Sequence, residues 1–255
     1  MNKQQTDVAT VQSQLVIAVC NIAGGVGKSS FCRHCLSPLI PGSVLVSIED
    51  WNSSGGVADL EISAKAFHNF AAQLNADEDG SYVLDIGASN SRQMFQHFDV
   101  LSSTRERITH WIVPTRAGLK ERVDTLKTIQ LLRKMDVAPS TITIVAQFIT
   151  DPDTFEGDFG ELRAVAREFG FNLAEQAVLF SPLFEQLKEG SRSVFEIVQT
   201  KPDFAALLKT AAGDENKLMQ LGHQMVVHDL ARAAARNYLG VFESLNLGHQ
   251  VNGRA

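Results

Sequence analysis

Cysteine is scarce in this chain, and so are the larger aromatics: three Cys, two Trp and two Tyr stand among 255 residues. Three cysteines cannot build a disulfide framework, and they point to a reducing compartment. No apolar run approaches the ~18 residues that span a bilayer. Residues 1–14 are polar and lack the apolar core of a signal peptide. The expected location is therefore cytoplasmic, with 1–13 a disordered tail. Positive charge is not in excess either. With 23 Lys and Arg against 29 Asp and Glu, the net charge is −6, which argues against a broad nucleic-acid surface. Arg105, Arg107, Arg116, Lys120 and Arg122 are scattered and read as solvated helix ends, so direct nonspecific DNA binding is not favoured. Repeats and low-complexity tracts are absent. What remains is a chain 44% hydrophobic and 20% charged, enough for one sizeable core with a small appendage.

Apolar runs rich in β-branched residues alternate with helical patterns. Strands are expected at 15–20, 43–48, 82–86, 109–114 and 141–148, with a short sixth at 178–180 and a helix over 63–74. Strands separated by helices predict right-handed crossovers and a mostly parallel, twisted α/β sheet covered on both faces. Past about Lys201 the pattern changes to helices over 203–212 and 215–245. The expected division is a core over 14–200 and a C-terminal helical extension with a flexible tail over 201–255. The long helix mixes Asp229 and Glu243 with Arg232 and Arg236, unlike the strongly basic face of a membrane-surface helix. It reads as packing on the core or on a partner subunit, and no stable membrane anchor is expected.

The chemistry concentrates at 21–30, Asn-Ile-Ala-Gly-Gly-Val-Gly-Lys-Ser-Ser. Gly24, Gly25 and Gly27 let backbone N–H groups wrap an anion, with Val26 and Ser30 completing the cradle. Lys28 can reach the β/γ-phosphates of a nucleotide, and the Ser29 hydroxyl can ligate Mg²⁺. A buried strand precedes the loop and a helix follows, as a phosphate loop requires. Asp85 closes an apolar strand, where P-loop ATPases place the carboxylate that holds Mg²⁺. Cys32 and Cys35 have the spacing of a redox or metal half-site with His34 between them. No second pair completes a cage, so both read as buried on the helix after the loop.

The Gly-Gly-x-Gly-Lys-Ser form resembles the deviant Walker A loop of the MinD/ParA ATPases. In that family a lysine directly precedes the double glycine. Here Ala23 does, and Ile22 stands where the common loop has its first glycine. The resemblance implies a P-loop NTPase fold, ATP and Mg²⁺ as cofactors, and a homodimer when ATP is bound, in which the signature lysine of one subunit reaches the phosphates of the other. It also implies roles by position. Asp85 matches the family's Asp-x-Pro-x-Gly carboxylate, with Gly87 in place of the proline. Ser47 replaces the first aspartate of the second-strand Asp-x-Asp motif, leaving Glu49 or Asp50 as the water-activating base. Val113-Pro114-Thr115 matches the end of the fourth strand. Gln147 stands where relatives place an asparagine that reads the base, and Ser181 and Pro182, followed by Glu189-Gly190, match the stretch on the base's other side.

Within the superfamily the chain looks most like the StbB/TraL-type plasmid stability and conjugation proteins. The expectation is an ATP-binding switch with slow or partner-stimulated hydrolysis. Its partner would be a plasmid-encoded DNA-binding or transfer-apparatus protein. A small-molecule kinase or ligase of the dethiobiotin-synthetase type, and a nucleotide-binding module without turnover, are the alternatives.

Overall fold

A computed structural model describes residues 14–49, 58–187 and 192–248. Asp50, Glu189, Gly190 and the tail 1–13 lie outside the described residues. Seven strands form one parallel sheet: β1 Val16–Val19, β2 Val44–Ile48, β3 Leu60–Ile62, β4 Tyr82–Ile86, β5 His110–Thr115, β6 Ile142–Ala146 and β7 Asn172–Leu173. Their order across the sheet is β3-β2-β4-β1-β5-β6-β7. Starting from β1, the sheet grows one way through β2–β4 and the other way through β5–β7. Such a reversal opens a crevice at the carboxyl ends of the central strands.

The apolar run of β1 has a direct structural cause. It is buried on both faces, so successive residues serve two different cores. Val16 and Ala18 pack into one with Phe67, Phe98, Trp111, Leu132 and Phe159. These come from β5 and from helices Phe67–Ala76, Ser91–Val100, Leu119–Lys134 and Phe155–Phe169. Ile17 and Val19 pack into the other with Phe31, Cys35, Ala231, Tyr238 and Val241. Phe31 belongs to the helix that begins at Lys28. That helix continues through a π-helical turn, Cys32–Leu36, and ends as Ser37–Leu39.

The second core is closed by the long helix Glu215–Ser244, capped by Asp214, whose side chain accepts from Lys217 N. Its buried residues, Ala231, Ala234, Ala235, Tyr238 and Val241, all lie in its second half. The small side chains let it approach the helix after the loop closely. The Cys35 thiol lies 3.6 Å from the Tyr238 carbonyl, and the Tyr238 side chain is hydrogen-bonded to Ser30. Cys32 and Cys35 are fully buried, and burial pushes both thiols well above their ordinary value. No cluster of three or more His, Cys, Asp or Glu that could hold a metal occurs among the described residues. Nor is any described helix long and apolar enough to cross a membrane.

Two expectations are corrected. Residues 178–180 do not form a strand; Leu179 makes only an isolated bridge to Ile149. The edge position belongs to the two-residue β7, where one residue is exposed and the other half-buried, too little for an apolar pattern to reveal. The opposite edge strand β3 is equally short of buried residues. The helix expected over 63–74 divides into a 3₁₀ turn, Ala64–Ala66, and the helix Phe67–Ala76, because Ser63 caps at Ala66 N.

His110 and His34 are buried without a hydrogen-bond partner on one ring nitrogen each. Burial lowers both from 6.5 to about 4, the neighbouring Arg33 adding to the effect at His34. The folded values lie below the unfolded one, so the unfolded chain takes up protons first. Their contribution to stability is complete above pH 6.5 and is lost as pH falls towards 4, by about 1.4 kcal/mol per unit for each histidine. His110→Leu should flatten the dependence of the urea midpoint on pH over that interval by one such share. An unchanged slope would refute the assignment.

Candidate phosphate-binding site

The loop between β1 and the following helix has the backbone that its glycines suggest. Gly25 and Gly27 sit at φ 68° and 83°, in the left-handed region that L-residues disfavour. Gly27 is doubly constrained. A methyl there would stand 2.8 Å from the Phe148 ring and 2.9 Å from Gln147 Oε1. Gly24, by contrast, has open space around it. Lys28 begins the helix and is buried, with Nζ donating to the Ala23 carbonyl at 2.9 Å. Burial pulls the ammonium below its ordinary pKa, and the opposing charge of Asp85 partly restores it.

A buried polar network fixes the loop's first half. Asn21 Nδ2 donates to the Pro114 carbonyl at 2.8 Å and to Thr125 Oγ1 at 2.9 Å. Its Oδ1 accepts from Ala23 N at 2.9 Å and from Thr128 Oγ1 at 3.2 Å. Thr125 Oγ1 in turn donates to Thr115 Oγ1 at 2.8 Å, and Ser91 Oγ donates to the carbonyls of Gly87 and Asn21. One asparagine thus ties the end of β1 to β5 and to the helix Leu119–Lys134. Sequence reading missed these residues. The signal was a Thr125-x-x-Thr128 pair on one helix face, where helix propensity alone would not choose threonine.

The acidic side comes from β4 and β2. Asp85 aligns with Val19 of β1 and with Ser47 of β2. It is 4% exposed, accepts a hydrogen bond from Ser29, and keeps one oxygen, Oδ1, without a partner. Burial raises its carboxyl, with Ser29 and Lys28 working against the shift. Glu49, just past β2, lies over Gly87. A methyl on Gly87 would meet Glu49 Cγ and Oε1 at 2.8 Å. Burial and the nearby Asp85 raise its carboxyl too. A cavity of about 410 Å³ opens between Gly24–Ser30 on one side and Glu49, Ala88 and Ser89 on the other.

The structure therefore brings Gly24, Gly25, Val26, Gly27, Lys28, Ser29, Ser30 and Glu49 to one cavity, with Asp85 beneath Ser29. Gln147 is buried behind Gly27 instead, its backbone N–H bonded to Thr115 O at 2.8 Å and its Nε2 without a partner. Ser181 and Pro182 do not line the cavity. Ser181 Oγ accepts from Leu183 N at the start of a short helix, and Pro182 is exposed. The residue after Gln147 is unusual. Phe148 adopts φ 60°, a conformation that costs a bulky residue on the order of 1–3 kcal/mol.

The donor set fits a magnesium ion. An orphaned carboxylate oxygen on Asp85 and the Ser29 hydroxyl are hard oxygen ligands. One carboxylate with one hydroxyl is the sparse protein contribution that leaves room for phosphate oxygens and water. Among solved structures, the MinC:MinD cell division complex of Aquifex aeolicus matches with a TM-score of 0.51 and 12% identity, over 86% of this chain and 94% of that one. The septum site-determining protein MinD of Pyrococcus horikoshii, complexed with Mg-ADP, matches with a TM-score of 0.51 and 11% identity, over 95% of this chain and 100% of that one. The chain has the fold of MinD. No protein-family model and no curated protein matches its sequence. At such identity the likeness to MinD concerns the fold, and the chemistry rests on the residues.

Two glycine substitutions separate backbone strain from simple space. Gly27→Ala should cost about 2 kcal/mol or more in chemical denaturation, from the positive φ and the blocked Cβ together. Gly24→Ala should stay within about 1 kcal/mol of the parent. Equal losses would show that the loop is not held as described.

Proposed function

We propose that this protein is a magnesium-dependent ATP-binding switch with slow intrinsic hydrolysis. The observation that carries this reading is the joint burial of Lys28 and Asp85 at one glycine loop, with Ser29 bonded to the aspartate. A buried cation and a buried acid at the mouth of a backbone nest match a ligand that brings both negative phosphates and a divalent cation. Lys28 is placed to hold phosphate oxygens, and Ser29 with Asp85 to hold the ion. Held there by Ser29 and Asp85, Mg²⁺ would supply positive charge against the charge developing on the phosphates. Glu49 is the described carboxylate at the cavity, and burial raises its carboxyl, which suits a base that orients an attacking water.

Slow turnover follows from Ala23. A methyl offers no charge to the phosphates, and losing a transition-state cation can cost ~10³–10⁵ in rate. ATP-driven homodimerisation and a plasmid-encoded partner that stimulates hydrolysis complete the reading, in which the switch serves plasmid stability, positioning or conjugative transfer. The support for that last step is the StbB/TraL-like combination of Ala23 with the Glu49-Asp50 segment.

Lys28→Ala should abolish ATP binding measured by calorimetry, and Asp85→Ala should leave nucleotide affinity independent of Mg²⁺. The parent should change from monomer to dimer on adding ATP and hydrolyse it slowly until a partner is supplied. Undiminished affinity in Lys28→Ala, or fast unaided turnover in the parent, would refute the reading.

A further inference from the structure

Lys28 and Arg116 both donate to carbonyls of the loop. Arg116 follows β5 directly and is exposed, with Nη1 3.4 Å from the Gly25 carbonyl. Its guanidinium carbon sits 4.5 Å from the centre of the Phe148 ring. That ring in turn packs against Gly27, and its backbone is held at φ 60°. Strain of this kind persists only where the surrounding fold imposes it, and it gathers at sites that need a side chain in one place. Here the fold supplies it through neighbouring backbone bonds. Gln147 N donates to the Thr115 carbonyl at 2.8 Å, and Ile149 N to the Val178 carbonyl at 3.1 Å. The result is an aromatic platform beside the loop with a guanidinium stacked on it.

We propose that Arg116 is a second phosphate cation of this site, positioned by Phe148, which adds to the affinity for a bound triphosphate and leaves the hydrolytic charge missing at Ala23 to a partner. This rests on the reading of the loop as an ATP site. A carbonyl 3.4 Å away is a weak acceptor for a guanidinium, so an anionic phosphate oxygen competes well for the same group. The stack on Phe148 limits the conformations the side chain must give up and keeps the planar fork near the loop's rim. Arg116 is outside the lining of the cavity and reaches it by rotation of its own side chain. Because it engages the outer end of the polyphosphate, it should discriminate triphosphate from diphosphate.

The test is equilibrium binding of ADP and of a non-hydrolysable ATP analogue, each with Mg²⁺, to the full chain. Arg116→Ala should lose about ten- to a hundredfold in affinity for the analogue, the size of one charge-assisted contact, and keep its affinity for ADP. Phe148→Leu should show a smaller loss in the same ratio with ADP binding intact, as a positioning residue would. Arg116→Lys should recover part of the preference. Equal affinities in parent and Arg116→Ala for both nucleotides would overturn the proposal. So would a triphosphate preference that grows with protein concentration, since that places the arginine's target in a second copy. Failure of the parent to bind either nucleotide would instead sink the ATP-site reading itself.

Discussion

A lysine and an aspartate buried in the same small volume set the terms for everything around them. Neither charge has enough water to be stable alone, and each shifts the other's proton affinity back towards the ionised form. Removing one partner of such a pair typically costs 3–5 kcal/mol, because the other is left uncompensated. The pair therefore needs a scaffold that does not move. The central position of β1, paired with β4 on one side and β5 on the other, provides it. The Asn21 network provides the rest, holding Ala23, whose carbonyl receives the lysine, to two further elements through neutral hydrogen bonds. Breaking that network would shift the lysine before it touched any ligand.

The acidic wall is where this chain departs most from its family resemblance, and the departures form one unit. Ser47 is buried in the strand, aligned with Asp85, and its hydroxyl brings no second carboxylate next to that aspartate. The acid appears two positions later, at Glu49. A longer side chain arriving from there needs room, and the room is over Gly87, where any Cβ would collide with it. Serine, glutamate and glycine thus substitute for aspartate and proline together. Aspartate at Ser47 would bring a second buried acid beside Asp85, and proline at Gly87 would collide with Glu49.

The phosphate loop and the central strands were legible because they obey local rules. Glycines mark positive φ, and β-branched runs mark strands buried on both faces. The edges were not legible, since β7 is two residues long and β3 has no buried residue. The supports of the site were invisible for a different reason. Asn21, Thr115, Thr125 and Thr128 meet only after the chain has crossed over a helix and back, and no spacing in the sequence encodes that meeting. Gln147 was read as a base contact from its place at the end of β6. The fold puts its side chain against Gly27 and turns the next residue, Phe148, to the surface of the loop.

The location of β1 also has a consequence in time. The strand that carries the loop is the first among the described residues, yet its hydrogen-bonding partners are residues 82–85 and 110–112. At ribosomal speeds of about 5–20 residues per second, β5 emerges on the order of 5–20 s after β1. Until β4 emerges an apolar strand of Val, Ile and Ala stands without either neighbour, and until β5 follows it has only one. Non-local pairing of this kind is slow to form and prone to aggregate. The nascent chain thus carries its future phosphate loop on a segment that must be kept from other chains until residues 110–112 have been made.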